Sequence, residues 1–164
     1  MSETALIRPI AKKYCKGKGL DIGCGGDKVT PDSWGFDMPQ PYASVGSDYI
    51  ELRGDARNLE FINIGALDYI YSSHLLEDFP NTEEVLIHWI SRIKKGGKLI
   101  LYLPDEQKYR AHCKATGQGY NEAHSIENMS LEYIKNILKG IGYTKILHEI
   151  ELHAAYSFFI VVEV

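Results

Sequence analysis

Short apolar runs alternate with stretches of helical spacing along most of the chain, the pattern of a βαβ fold. Gly19-Leu20-Asp21-Ile22 is a short buried strand that runs straight into glycines, and Trp34-Gly35-Phe36-Asp37 is a second, ending in an acid. Tyr49 to Asp55 alternates as a third, Ala66 to Ser73 forms a fourth, and Lys98 to Leu103 a fifth that Pro104 stops. Between the last two, Val85, Leu86, Trp89, Ile90 and Ile93 recur at helical spacing. Asn81 or Thr82 caps that helix, Glu83 and Glu84 occupy the turn where the dipole favours acids, and Gly96-Gly97 ends it. A second helix spans roughly Ser130 to Lys139, with Leu131, Ile134, Ile137 and Leu138 on one stripe. Lys145 to Leu152 and Ser157 to Val164 are β-rich runs close enough for an antiparallel hairpin. The prediction is an α/β protein, a mostly parallel seven-stranded sheet with a C-terminal antiparallel hairpin, in one domain over residues 1–164. One connection is anomalous. Only Asp27 to Ser33, with Pro31 inside, separate the glycines from the second strand, so the first helix is shortened to one turn or replaced by a loop.

Composition narrows the function classes. The chain has 164 residues, 45% hydrophobic and 24% charged, with net charge −4, so nothing marks it as a nucleic-acid binder. Cys15, Cys24 and Cys113 have no paired spacing, which argues against a disulfide framework or a zinc ribbon. No apolar run approaches a membrane span and no leader is evident, so the expectation is a soluble cytoplasmic protein.

The candidate chemistry lies at the strand ends. Glycines at the carboxyl edge of a parallel sheet let a ligand approach the backbone, and ligands collect at that edge. Alone, Gly23-x-Gly25 is equally a structural turn or a dinucleotide site. Behind it, however, Asp37 ends the second strand, where a carboxylate accepts from ribose hydroxyls. Asp55-Ala56 follows the third, where an acid and a backbone N–H can read an adenine edge. Ser72-Ser73-His74 follows the fourth, beside the gap where a reacting group would lie.

These residues carry a family resemblance. Leu20-Asp21-Ile22-Gly23-Cys24-Gly25 resembles motif I of the class I S-adenosylmethionine-dependent methyltransferases, which have a Rossmann-like sheet. Gly35-Phe36-Asp37 resembles motif II, and Gly54-Asp55-Ala56 the adenine-binding motif. The run from Asp68 to Asp78 resembles the segment that ends strand four, and Lys94 to Leu99 the turn before strand five. Within the superfamily the chain looks most like short bacterial methyltransferases whose first helix is similarly curtailed. The resemblance implies S-adenosylmethionine as cofactor and S-adenosylhomocysteine as product. Asp21, Gly23, Cys24 and Gly25 would contact the methionine part, Asp37 the ribose, Asp55 and Ala56 the adenine, and Ser72, Ser73 and His74 the methyl-transfer side. Met38 would either pack on the adenine or be an ordinary exposed or core methionine, and Cys24 would contribute its backbone. With little helix dipole behind the glycine turn, Lys28 is left to face the cofactor's carboxylate.

Methyl transfer is an in-line displacement on a sulfonium, driven largely by proximity and alignment. A base is needed only for a hydroxyl or protonated amine acceptor, and His74 and His124 are the candidates. His124 falls in a polar loop after strand five, with Tyr109, His112 and Tyr120 near enough in sequence to shape an acceptor pocket. The plainer alternatives are that His74 orients the following helix and that His124 is a solvated loop residue. His148 and His153 are expected on the exposed face of the hairpin. No Pro-Pro-Tyr, Pro-Pro-Phe or Pro-Cys occurs, which sets aside base-gripping amino methylation and cytosine-C5 chemistry. Asp68 opens strand four instead of ending it, so no metal is expected. The acceptor is expected to be a small molecule carrying a sugar-type hydroxyl or an amine. Two alternatives remain. A nicotinamide-dependent oxidoreductase is disfavoured because Lys28 stands where the third glycine would be. The other is a catalytically silent cofactor-binding scaffold. About 18 residues precede strand one, little for a helical lid, so the acceptor side is left open or completed in a homodimer.

Overall fold

A computed structural model describes residues 2–41 and 46–164. Seven strands form one sheet in the order β3-β2-β1-β4-β5-β7-β6, where β1 is Gly19–Ile22, β2 Trp34–Asp37, β3 Leu52–Arg53, β4 Leu67–Ser73, β5 Ile93–Pro104, β6 Ile146–His153 and β7 Ser157–Glu163. The first five pair in parallel, while β7 runs antiparallel to both β5 and β6. The chain order reverses between β1 and β4, and at such a switch point the loops leaving the two strands diverge and open a crevice.

Alternate residues of the central strands supply two separate cores. Leu20, Ile22, Ile70, Leu99, Leu101 and Leu103 face helices α2 (Thr82–Arg92) and α4 (Leu131–Gly140). Tyr69, Tyr71, Ile100, Tyr102, Phe159 and Val161 face the opposite side. Covering them is α1 (Glu3–Ala11), which inserts Ile7 and Ala11 and is capped by Ser2. The described residues before β1 therefore pack against this face of the sheet, and none of them lines the cavity described below. This helix escaped sequence reading because Pro9 interrupts its pattern. A further helix, α3 (Glu106–Thr116), follows β5 where only a polar loop was expected; it buries only Glu106 and Cys113, too little to show an apolar stripe. His124 does lie in the loop beyond it.

Two boundaries differ from expectation. The third strand shrinks to two residues, because the Glu51 carboxylate takes the Gly35 N–H at 2.7 Å in place of a backbone carbonyl. The predicted stop at Gly96-Gly97 is an irregularity inside β5, which already starts at Ile93. A Cβ on Gly97 would lie 2.7 Å from the Asp68 carbonyl oxygen, so only glycine lets the two strands close up there. Between the glycine turn and β2 no helix forms, as the spacing predicted. Arg8 and Ser2 of α1 instead hold Asp27 through its two carboxylate oxygens.

Candidate active site

The crevice at the switch point widens into a cavity of about 560 Å³ at the carboxyl ends of β1, β2, β3 and β4. Gly23 and Gly25 form one wall, with φ of 75° and 56°, left-handed values that favour glycine. A Cβ on Gly23 would lie 2.9 Å from Leu75 Cδ2, on a second wall continued by Asp78 and Phe79. Asp37 and Met38 project from the end of β2, Asp55 and Ala56 from the end of β3.

Local hydrogen bonds fix each of these groups. Gly25 N–H donates to Asp37 Oδ2 at 2.7 Å, and Met38 N–H to Oδ1 at 2.7 Å. A carboxylate has about four acceptor sites, so Asp37 retains capacity toward the cavity. The Asp55 carboxylate receives the Arg57 guanidinium through Nε and Nη2, at 2.9 and 2.7 Å, which holds its pKa below the ordinary range. Trp89 donates its indole N–H to the Ala56 carbonyl at 2.8 Å, pinning this loop to α2.

A second group of polar side chains runs from His74 on the cavity wall to residues behind it. His74 has φ of 49° and its ring Nε2 is 3.0 Å from Ser157 Oγ. Burial, aided by neighbouring His124, pushes its pKa down to about 3, so the ring is neutral and weakly basic. Glu77, on the 3-10 turn Leu76–Asp78, is 1% exposed. Burial first, and then the carboxylates of Asp78, Glu106 and Glu3, push it well above the usual carboxylate range. His124 Nδ1 lies 2.7 Å from Glu106 Oε2, while Arg110 Nε donates to Glu106 Oε1 at 2.8 Å.

No protein-family model matches the sequence, and no curated protein matches it. Solved structures do resemble it. An S-adenosylmethionine-dependent methyltransferase from Archaeoglobus fulgidus superposes with TM-score 0.73 at 17% identity, over 99% of this chain and 95% of its own. One from Thermotoga maritima gives 0.71 at 16%, over 99% and 88%. The chain has the class I methyltransferase fold. CalH, a trans-methyltransferase solved with S-adenosylhomocysteine, shares this fold at TM-score 0.63 and 15% identity, over 98% of this chain and 55% of its own.

On this methyltransferase fold, the anticipated residues divide. Gly23, Gly25, Asp37, Met38, Asp55, Ala56 and His74 line the cavity together. Asp21, Cys24, Ser72 and Ser73 do not. Asp21 is buried behind the turn, accepting from Val29 N–H at 2.6 Å. Cys24 is buried too, with its thiol pushed up to about 12 by burial, which leaves no thiolate nucleophile. Ser72 Oγ donates inward to the Ile22 carbonyl at 3.0 Å. Lys28 does not face the cavity, because its ammonium pairs with Glu51 at 2.7 Å.

The acceptor-side expectations change more. His124 is no solvated loop residue; its side chain is 5% exposed, and the adjoining Ala123 reaches the cavity wall. Tyr109 stacks obliquely on His124 with centroids 4.8 Å apart but, like His112 and Tyr120, does not line the cavity. His148 and His153 are half-buried, each bonded to a tyrosine hydroxyl, of Tyr14 at 2.8 Å and Tyr102 at 2.9 Å. Sequence reasoning missed Asp78 and Phe79 on the cavity wall and Glu77 and Glu106 behind it. The adjacent pair Glu77-Asp78, directly after strand four, was the available signal.

Proposed function

We propose that the chain is an S-adenosylmethionine-dependent methyltransferase acting on a small-molecule acceptor. The observation that carries this reading is the convergence of a bare glycine wall and two strand-end carboxylates, Asp37 and Asp55, on one cavity of about 560 Å³. A nucleoside needs such a set: acceptors for ribose hydroxyls and an apolar slot for the base. Asp37 would accept from the ribose, with Met38 and Phe79 against the adenine and the Ala56 backbone at its edge. The likeness to CalH, solved with the demethylated product, points the same way.

S-adenosylmethionine supplies a methyl group activated on a sulfonium. The chain's own task is then to align an acceptor beside His74 and to exclude water, since charge is dispersed as the methyl moves. His74 is too weak a base in this environment to remove a proton at neutral pH, so it acts as a hydrogen-bonding wall group.

Isothermal titration with S-adenosylhomocysteine and with NAD tests the reading. Binding of the homocysteine compound and not of NAD is expected. Asp37→Ala should weaken it about 10- to 100-fold, the loss of bonds to a charged acceptor at about 1.5–3 kcal/mol. Binding of NAD alone would overturn the proposal.

A further inference from the structure

We infer that Glu77, Asp78 and His124 form a binding site for one divalent first-row transition-metal ion, against the sequence expectation of none. The three residues each offer a donor atom, and the atoms all lie within 4.8 Å of one another. They come from two separate segments, the 3-10 turn after β4 and the loop after α3, so the meeting is a product of the fold.

His124 is set as metal-bound histidines are. Its Nδ1 is held by Glu106 Oε2 at 2.7 Å, and Glu106 is itself anchored by Arg110. A carboxylate on one ring nitrogen fixes the tautomer, turns the ring and leaves the other nitrogen's lone pair free to coordinate. That other nitrogen, Nε2, lies 3.7 Å from Glu77 Oε1. The gap is too long for a hydrogen bond, yet suits two donors sharing an ion at bonds of about 2.1 Å.

Glu77 gives the independent sign of a missing ligand. Its side chain is 1% exposed, and its Oε2 has no hydrogen-bond partner among the described residues. Buried carboxylate oxygens are rarely left so, because desolvation is not repaid. Glu3, Glu77, Asp78 and Glu106 crowd together there, and a dication would balance them. Two carboxylates with one imidazole suit manganese, iron, cobalt or zinc better than magnesium or copper(I). Asp78 also lines the cavity, so an ion held there would present open coordination positions to an oxygen-bearing acceptor beside His74. The site stands whether or not the methyl-transfer reading does.

The probe is Mn²⁺ added to the metal-stripped full chain, followed by calorimetry and by pulsed electron paramagnetic resonance. One ion per chain is expected, with nitrogen modulation from a single imidazole. His124→Ala should abolish the modulation, Glu77→Gln should weaken binding at least 10-fold, and Glu106→Gln, acting only through His124, about 10- to 100-fold. Thermal melts of each variant distinguish lost ligands from lost folding; if one fails to fold, the wild-type stoichiometry and nitrogen modulation decide. No Mn²⁺ uptake, uptake without nitrogen modulation, or unchanged binding in folded His124→Ala overturns the site. Titration with S-adenosylhomocysteine on the same samples reports the proposed cofactor separately.

Discussion

Asp21 shows how one residue's parity in a strand decides between binding and structure. It follows Leu20 and precedes Ile22, both in the core, and its carboxyl turns to the Val29 N–H on the reverse of the glycine turn. Burial pushes its pKa from 3.8 to about 7. A carboxyl whose folded pKa exceeds its unfolded value stabilises fully below the unfolded one, and that contribution is lost as pH rises through the folded one. The loss amounts to about 4 kcal/mol at 1.36 kcal/mol per unit. Asp21→Asn keeps an acceptor for Val29 but cannot ionise. Urea titrations should therefore show wild-type stability falling relative to the variant's between about pH 4 and 7, leaving the variant the more stable at pH 8. Parallel pH profiles would show that Asp21 is not titrating there. Ser72, opposite Ile22 and so on the other face from Asp21, is withheld from the cavity because its hydroxyl donates to the Ile22 carbonyl. Asp37, Asp55 and His74 were legible because each lies at, or within two residues of, the carboxyl end of a strand, where side chains clear the sheet edge. The pairing of His124 with Glu106 was not, since 18 residues and a helix separate partners that touch only after folding.

Among the elements, those with an apolar period were legible and those held by their ends were not. α2 and α4 bury stripes and were found, α4 nearly to the residue and α2 at its start, although α2 ends at Arg92, short of the expected Gly96-Gly97. α3 buries almost nothing, and its signals are its caps: Asp105 accepts from Lys108 N–H, and Gly117 closes the other end with φ of 72°. The hairpin of β6 and β7 has a different irregularity. Ala154 and Ala155 take φ of 47° and 75° in its connecting turn, where a Cβ is strained by about 1–2 kcal/mol per residue. Asn-Gly is the pair that accepts two successive positive values. Replacing Ala154-Ala155 with Asn-Gly should raise the melting temperature by roughly 2–4 °C for each kcal/mol relieved. A melting temperature that stays level or drops would mean the alanines are unstrained or that the turn packs through their methyls.

For the whole molecule, the sheet order places β7 between β5 and β6, although it follows both in the chain. Its residues Phe158 to Val162 are fully buried and supply both cores. Deleting residues 157–164 removes the shared neighbour of two strands at once. The shortened chain should lose its near-ultraviolet circular dichroism and cooperative urea transition; a sharp transition at wild-type strength would contradict this. The expectation of a mostly parallel sheet with a terminal hairpin captured the pairing of β6 with β7, which the short turn between them fixes, but not that β7 is the strand that meets β5.

The same ordering bears on how the chain is made. During translation, β5 emerges with a long apolar edge that no earlier strand can cover, and β6 follows with nothing to pair against. Both wait for β7 to leave the ribosome, so the sheet's far half assembles only once that strand is free to pair. Until then the nascent polypeptide carries an open, sticky border, the kind of surface on which chaperones act and from which aggregates start.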